Sequence, residues 1–271
     1  MKLTDVMRTS ATRTDGITTL LLRGLINAKL LNYDDTGKWA ERFGNMARVD
    51  GVTIHLDNRL LPPFFKGTII AGIYEKGERQ IIQKYLPNGE PVIELGASIG
   101  VVSCVVNRKL ISPGQHVVVE ASSELIPTLT KNRDINGCQF TIIEAAIAYG
   151  SDSVTFFSNG LSLVGSIYGE GHTMEVPAKT LQSIAEEAGF RHFTLICDIE
   201  GSEIGLLEHE MDFIREHVGV ILMETHDETP YGDDGVKLVL EKLADNGFEM
   251  IDSIRTNYCF RNKASLQGED R

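Results

Sequence analysis

From Val92 onward the apolar positions fall in short continuous runs, each followed by a turn and then by residues at helical spacing. "VIEL" leads into an apolar helix capped near Ser98. "HVVVE" leads into a helix that opens at Ser122 or Ser123 and closes at Asn136-Gly137. "FTIIEAAI" follows. "HFTLICD" and "VGVILMET" each run on to a helix, the last from about Asp233 to Asn246. Unbroken Val/Ile/Leu runs separated by helices predict strands buried on both faces of a parallel sheet. The ligand crevice of such a sheet lies beyond the strand C-termini, where the strand order reverses. The residues just after each run are therefore the candidates for function.

Ahead of Val92 the pattern differs. An amphipathic helix is predicted around Ile17 to Leu31, with Leu21, Leu22, Leu25 and Leu30 near helical spacing. The alternating "GVTIHLD" and the turn-prone "LLPPFF" come next, then a helix from about Glu75 to Leu86 that Pro87 and Gly89 end. Residues 1–75 are read as an extension that covers the crevice and could carry oligomer contacts, 76–264 as the strand–helix domain, and 265–271 as a polar tail. One segment breaks the rhythm, "VTFFSNGLSLVGSIYGEGHTMEVPA". A hairpin with a surface loop and a lid over the crevice both fit it; the stretch from about Phe156 to Thr173, with Phe157 and Tyr168 among its glycines and serines, suits a lid.

Composition narrows the class of partner. With 42% apolar and 24% charged residues, the 271-residue chain is an ordinary globular protein. Its formal charge of -12 lacks the basic footprint that displaces counterions from a duplex, so no nucleic-acid partner is expected. Cys104, Cys138, Cys197 and Cys259 form no CxxC pair, which suits thiols in a reducing compartment. No signal-peptide pattern is seen at the N-terminus, and the longest apolar stretch is broken by Arg23 and Lys29. The expectation is a cytoplasmic protein without a membrane span; a homo-oligomer stays open.

The chemistry begins at "PVIELGASIG". A dinucleotide fingerprint would place a glycine where Ser98 stands, and no Walker lysine follows. Glu94 would repel a phosphate beside the helix N-terminus. A ligand with a purine, a ribose and a cation but no phosphate fits better, and S-adenosylmethionine is such a ligand. Glu94 is expected to face its methionine end, with Gly96, Ala97, Ser98 and Gly100 forming the turn. Glu120, followed by Ala121, can accept both ribose hydroxyls; Glu144 and Ala145 end the third strand where the adenine edge should lie. A solvated strand-end charge is the bland alternative for each acid, and three at successive strand ends weaken it.

In this order along the chain, "GIYEKGE", "VIELGASIG", "VVEASSELIPTLTKNRDING", "VPAKTLQSI", "DIEGSEIGLLE" and "ILMETH" resemble the FkbM-type methyltransferases, which are class I S-adenosylmethionine enzymes. The resemblance covers about Gly72 to Phe260. It implies an α/β fold with a Rossmann-like, seven-stranded, mostly parallel sheet and helices on both faces. It also implies methyl transfer, most often to a hydroxyl of a sugar or natural product. The chain departs from the family pattern at Ser98, where Asn is frequent, at Ile196, where Lys is frequent, and at Gln182, where Asp is frequent.

Two further strand ends then matter. Asp198 and Glu200 in "CDIEGSE", and Glu224 and His226 in "METHDE", flank the place where methyl and acceptor meet. A hydroxyl acceptor must lose a proton, and His226 is the side chain suited to take it near neutral pH, with Glu224 and Asp227 raising its pKa somewhat above 6.5. Glu203 is read as a helix cap. Asp198, Glu200 and Glu224 could also hold a divalent metal, but carboxylates beside a sulfonium need none, and a metal is not favoured. N-methylation, methylation of a protein or lipid headgroup, and a non-catalytic binding or assembly module are the alternatives to O-methylation of a small hydroxylated molecule.

Overall fold

The computed structural model describes residues 11–42, 44–158, 165–167, 172–226 and 234–264. The first described elements are helices α1 (Ala11–Asn27) and α2 (Tyr33–Arg42), a hairpin of β1 (Met46–Val49) and β2 (Val52–His55), and helices α3 (Pro63–Ala71) and α4 (Lys76–Tyr85). Helix α3 lies in the stretch read as turn-prone. The proline signal there marks a helix start rather than a break, because Pro63 sits where a missing N–H costs nothing.

The alternation read from the sequence follows: β3 (Val92–Leu95), α5 (Val101–Lys109), β4 (His116–Glu120), α6 (Ile126–Ile135) and β5 (Thr141–Glu144). Four short strands come next, β6 (Ala146–Ile147), β7 (Ser153–Ser158), β8 (Gly165–Ser166) and β9 (His172–Lys179). Then come α7 (Leu181–Ala188), β10 (Phe193–Cys197), α8 (Glu203–His217), β11 (Val218–Glu224), α9 (Gly235–Asp245), β12 (Phe248–Ile254) and β13 (Asn257–Asn262).

Seven of these strands form one sheet in the order β12–β13–β11–β10–β3–β4–β5, parallel from β11 to β5. Only β13 runs antiparallel to both its neighbours. The order reverses between β3 and β10, so the crevice opens at Leu95 and Cys197. The parallel strands are those expected from the buried runs, and the seven-stranded Rossmann-like order is the one the resemblance implies.

Strand alternation divides the core. Ile93, Leu95, Val117, Val119 and Leu195 face α7 and α8, packing on Leu181, Ile184, Leu206 and Ile214. On the opposite face Val118 and Leu129 pack with Leu22, Val49, Ile54 and Ile69 of the N-terminal region, while Val92, Ile196 and Leu222 meet Ile81, Ile82 and Val106. Each such fully buried aliphatic side chain stabilises the fold by about 1.5–3 kcal/mol. The described part of the N-terminal region, from Leu22 to Ile70, therefore shares the sheet's core. Asn132 of α6 and Asn136 just after it also accept hydrogen bonds from the β2 backbone at His55 (2.7 Å) and Thr53 (2.9 Å).

"FTIIEAAI" divides in two: β5 ends at Glu144, and β6 leaves for a second sheet beside β9. In that sheet β7 and β9 pair antiparallel from Ser153 to Ser158, which is the hairpin arrangement. Residues 159–164 and 168–171 of the expected lid, with Tyr168, lie outside the described residues, as do Asp227 and the polar tail. All four cysteines are free, and no described helix is long and apolar enough to cross a membrane.

Candidate active site

A cavity of about 250 Å³ opens at the strand-order reversal. Its floor is the turn after β3. Gly96 has φ 87°, and a Cβ there would lie 1.7 Å from the Asp198 carbonyl oxygen, so only glycine lets this turn pass against the end of β10. Ser98 takes the left-handed region as well, at φ 51°. Its amide thereby donates to Glu120 Oε2 at 2.7 Å, and the Ser122 amide donates to Oε1 at 2.7 Å. Glu120 is 6% exposed, and burial lifts its pKa to about 7 against the pull of these amides. Each oxygen keeps a second lone pair, so the carboxylate could accept a vicinal diol. Ala121, Ala145, Ala146, Ile147, Phe156 and Ile167 make an apolar slot beside it.

The other half of the cavity is acidic. Asp198 follows β10, Glu200 stands in the next turn at φ 49°, and Glu224 and His226 come from the end of β11. His226 Nε2 lies 3.4 Å from Asp198 Oδ1 and 3.3 Å from Glu200 Oε2. Its Nδ1 donates to Glu203 Oε1 at 3.0 Å, and Glu203 is 1% exposed. Burial works against a charged imidazole here, but the Glu203 bond and the charges of Asp198 and Glu200 outweigh it and raise the pKa to about 10. Burial also pushes Asp198 well above the usual carboxylate range; Glu200 adds to this and His226 opposes it. In the free protein these carboxylates therefore favour the protonated imidazole. That shifts the expectation of a base titrating just above 6.5, and the reason is Glu203, a buried partner that accepts from Nδ1 as well as from the Gly201 amide at the start of α8.

Two of the expected cofactor residues point elsewhere. Glu94 does not line the cavity: alternation turns it toward α5, where it accepts from Ser103 Oγ at 2.5 Å and meets His116 Nε2 at 3.1 Å. Glu144 is exposed on the sheet edge and leaves Ala145 to line the slot. Ala97 and Gly100 shape the turn from behind the lining; a Cβ on Gly100 would lie 2.5 Å from Leu129 Cδ1.

Four lining residues come from the N-terminal region and were assigned no role from sequence: Leu60, Phe65, Tyr74 and Glu75. Tyr74 Oη lies 3.3 Å from Ser98 Oγ. Glu75 is held at φ 47°, and burial raises its pKa to about 8, with Glu224 adding to the rise and Tyr74 opposing it. Glu75, Ser98 and Glu200 are thus three left-handed non-glycine residues around one cavity, a conformation that costs about 1 kcal/mol or more each and gathers where geometry serves a ligand.

The sheet, its reversal point and this cavity define a Rossmann-like methyltransferase. Residues 94–250 match the Methyltransferase FkbM domain, more than half of the chain, and the protein belongs to that family of S-adenosylmethionine-dependent methyltransferases. No curated protein matches the chain. Among solved structures it is similar to a ribosomal protein L11 methylase from Lactobacillus delbrueckii subsp. bulgaricus (10% identity, 70% of this chain and 79% of that one, TM-score 0.44). It is also similar to an O-methyltransferase from Bacillus cereus in complex with SAH (11%, 68% and 79%, TM-score 0.42). A third is Aeropyrum pernix fibrillarin with bound S-adenosyl-L-methionine (13%, 67% and 71%, TM-score 0.40).

Proposed function

We propose that the protein transfers the methyl group of S-adenosylmethionine to a hydroxyl of a small molecule such as a sugar or natural product. The observation that carries this reading is the division of one cavity into an apolar slot ending at Glu120 and an acidic end at Asp198, Glu200, Glu224 and His226. Adenosine suits the first half. A sulfonium, being cationic, suits the second, where carboxylates outnumber the single imidazolium.

Transfer is an in-line displacement: the acceptor oxygen attacks the methyl carbon as the carbon–sulfur bond breaks. The protein's part is to hold the two in contact and to take the hydroxyl proton. A carboxylate oxygen of Asp198 or Glu200 suits the proton better than His226, whose carboxylate partners favour its protonated form. Burial raises the Asp198 pKa, which makes its ionised oxygen the stronger proton acceptor. Leu60, Phe65 and Tyr74 give the N-terminal region a wall of the cavity, which supports its reading as a cover. The test is mass spectrometry of products from a panel of sugars and hydroxylated metabolites with isotopically labelled methyl donor. Methyl appearing on nitrogen alone, or on no small molecule, would overturn the proposal.

A further inference from the structure

We propose that Asp198, Glu200 and His226 bind a divalent cation at the acceptor end of the cavity. One candidate ligand atom from each of the three residues lies within 4.8 Å of the others, and His226 Nε2 is 3.4 Å from Asp198 Oδ1 and 3.3 Å from Glu200 Oε2. They come from two neighbouring strand ends, so the sheet itself fixes their spacing.

Distances decide between a proton and a metal at the centre of this group. A charge-assisted N–H···O bond is about 2.7–2.9 Å long. Nε2 stands at 3.4 Å and 3.3 Å from the two carboxylates, so a proton there bonds neither well. Asp198 Oδ1 in fact remains a buried oxygen without a hydrogen-bond partner. The same separations suit adjacent corners of a coordination shell with bonds of about 2.1–2.4 Å. The imidazole is also already oriented for a metal: buried Glu203 accepts from Nδ1 at 3.0 Å, which leaves Nε2 directed at the carboxylates. This is how ligand histidines are held in metal sites. One imidazole, two carboxylates and no thiolate suit Mn²⁺ and its harder neighbours over a soft ion.

The ion's role rests on the O-methyltransferase reading, though its binding does not. A hydroxyl oxygen of the acceptor would complete the shell and become more acidic there. The carboxylate oxygens left off the ion, Asp198 Oδ2 and Glu200 Oε1, could then take the proton. Glu203 would act as a positioning residue through His226.

The experiment titrates the chelator-treated full chain with Mn²⁺, following the free-ion signal by electron paramagnetic resonance, with SAH binding measured separately by calorimetry. One ion per chain is expected. His226→Ala and Asp198→Asn should each weaken it by about tenfold or more, and Glu203→Gln by about tenfold to a hundredfold. Unchanged thermal unfolding or retained SAH binding identifies the variants that fold. No saturable Mn²⁺ signal, or equal retention of the ion by all three folded variants, would overturn the proposal. Mn²⁺ bound without SAH would leave the metal site standing and sink the cofactor reading; SAH bound without Mn²⁺ would do the reverse.

Discussion

The two halves of the cavity both rest on buried carboxylates, yet they are built in different ways. Glu120 is satisfied by backbone amides, that of Ser98 in the turn after β3 and that of Ser122 just after β4. The acidic half is built instead from side chains meeting one another: Asp198 and Glu200 after β10, Glu203 on α8, and His226 after β11. A backbone-built site is rigid and specific to one ligand shape. A side-chain-built site shares protons and cations among its members, so its chemistry can change with what enters.

The halves touch at Gly96, and the largest expected effect lies there. Gly96→Ala forces a Cβ onto the Asp198 carbonyl at a left-handed φ, which should cost on the order of 3 kcal/mol or more and abolish SAH binding and turnover together. Chemical denaturation with calorimetry checks it. Normal stability with normal SAH binding would mean that the turn and the strand end are not in contact.

Next in size is a change confined to the acidic half. Asp198→Asn should slow methyl transfer by roughly a hundredfold or more while SAH affinity changes far less, because the loss is felt only in the transition state. Single-turnover rates beside SAH affinities separate these outcomes. A proportionate loss of both would merge the two halves into one binding site.

Glu120→Ala belongs to the other half and should weaken SAH by about 1–3 kcal/mol, the cost of leaving buried hydroxyls and amides unpaired. Equal affinity of wild type and variant would remove Glu120 from the ribose.

The same division explains what the sequence disclosed. The parallel sheet was legible because unbroken apolar runs leave few other folds open, and Gly96, Ser98 and Glu120 because each lies at the end of such a run. Glu94 was misplaced for a reason inside the strand. It sits in "VIEL", so period-two alternation governs its direction, and Ser103 and His116 meet it on the helix side. Glu144 failed similarly, at a sheet edge open to solvent. Glu75 and Tyr74 carried no signal, since nothing local reports that "GIYEKGE" folds over Ser98. Glu203 and His226 are 23 residues apart and on different elements, and their bond exists only once α8 packs beside β11. Side-chain partnerships across elements are what a linear pattern omits.

The smallest expected effect is a pH dependence of SAH binding that Glu120 should dominate, with Glu75, raised by burial to about 8, the other lining group near this range. Burial places the Glu120 pKa at about 7 in the free protein. The raised value means that the folded protein holds this proton more tightly than the unfolded chain does, so Glu120 contributes less stability as pH rises from 4.5 to 7. Ligand binding runs the other way, because an ionised carboxylate can accept from both ribose hydroxyls and both amides, while a protonated one must spend an oxygen as a donor. SAH should therefore bind roughly tenfold more weakly at pH 6 than at pH 8, which is about 1.4 kcal/mol. Calorimetry across that range in chelator-treated protein is the measurement. Glu120→Gln should bind weakly and lose most of the slope, whereas His226→Ala should keep it, since Glu203, Asp198 and Glu200 raise the imidazole to about 10. A slope that survives Glu120→Gln but vanishes in His226→Ala would assign the titration to the acidic half and overturn the separation of the two regions.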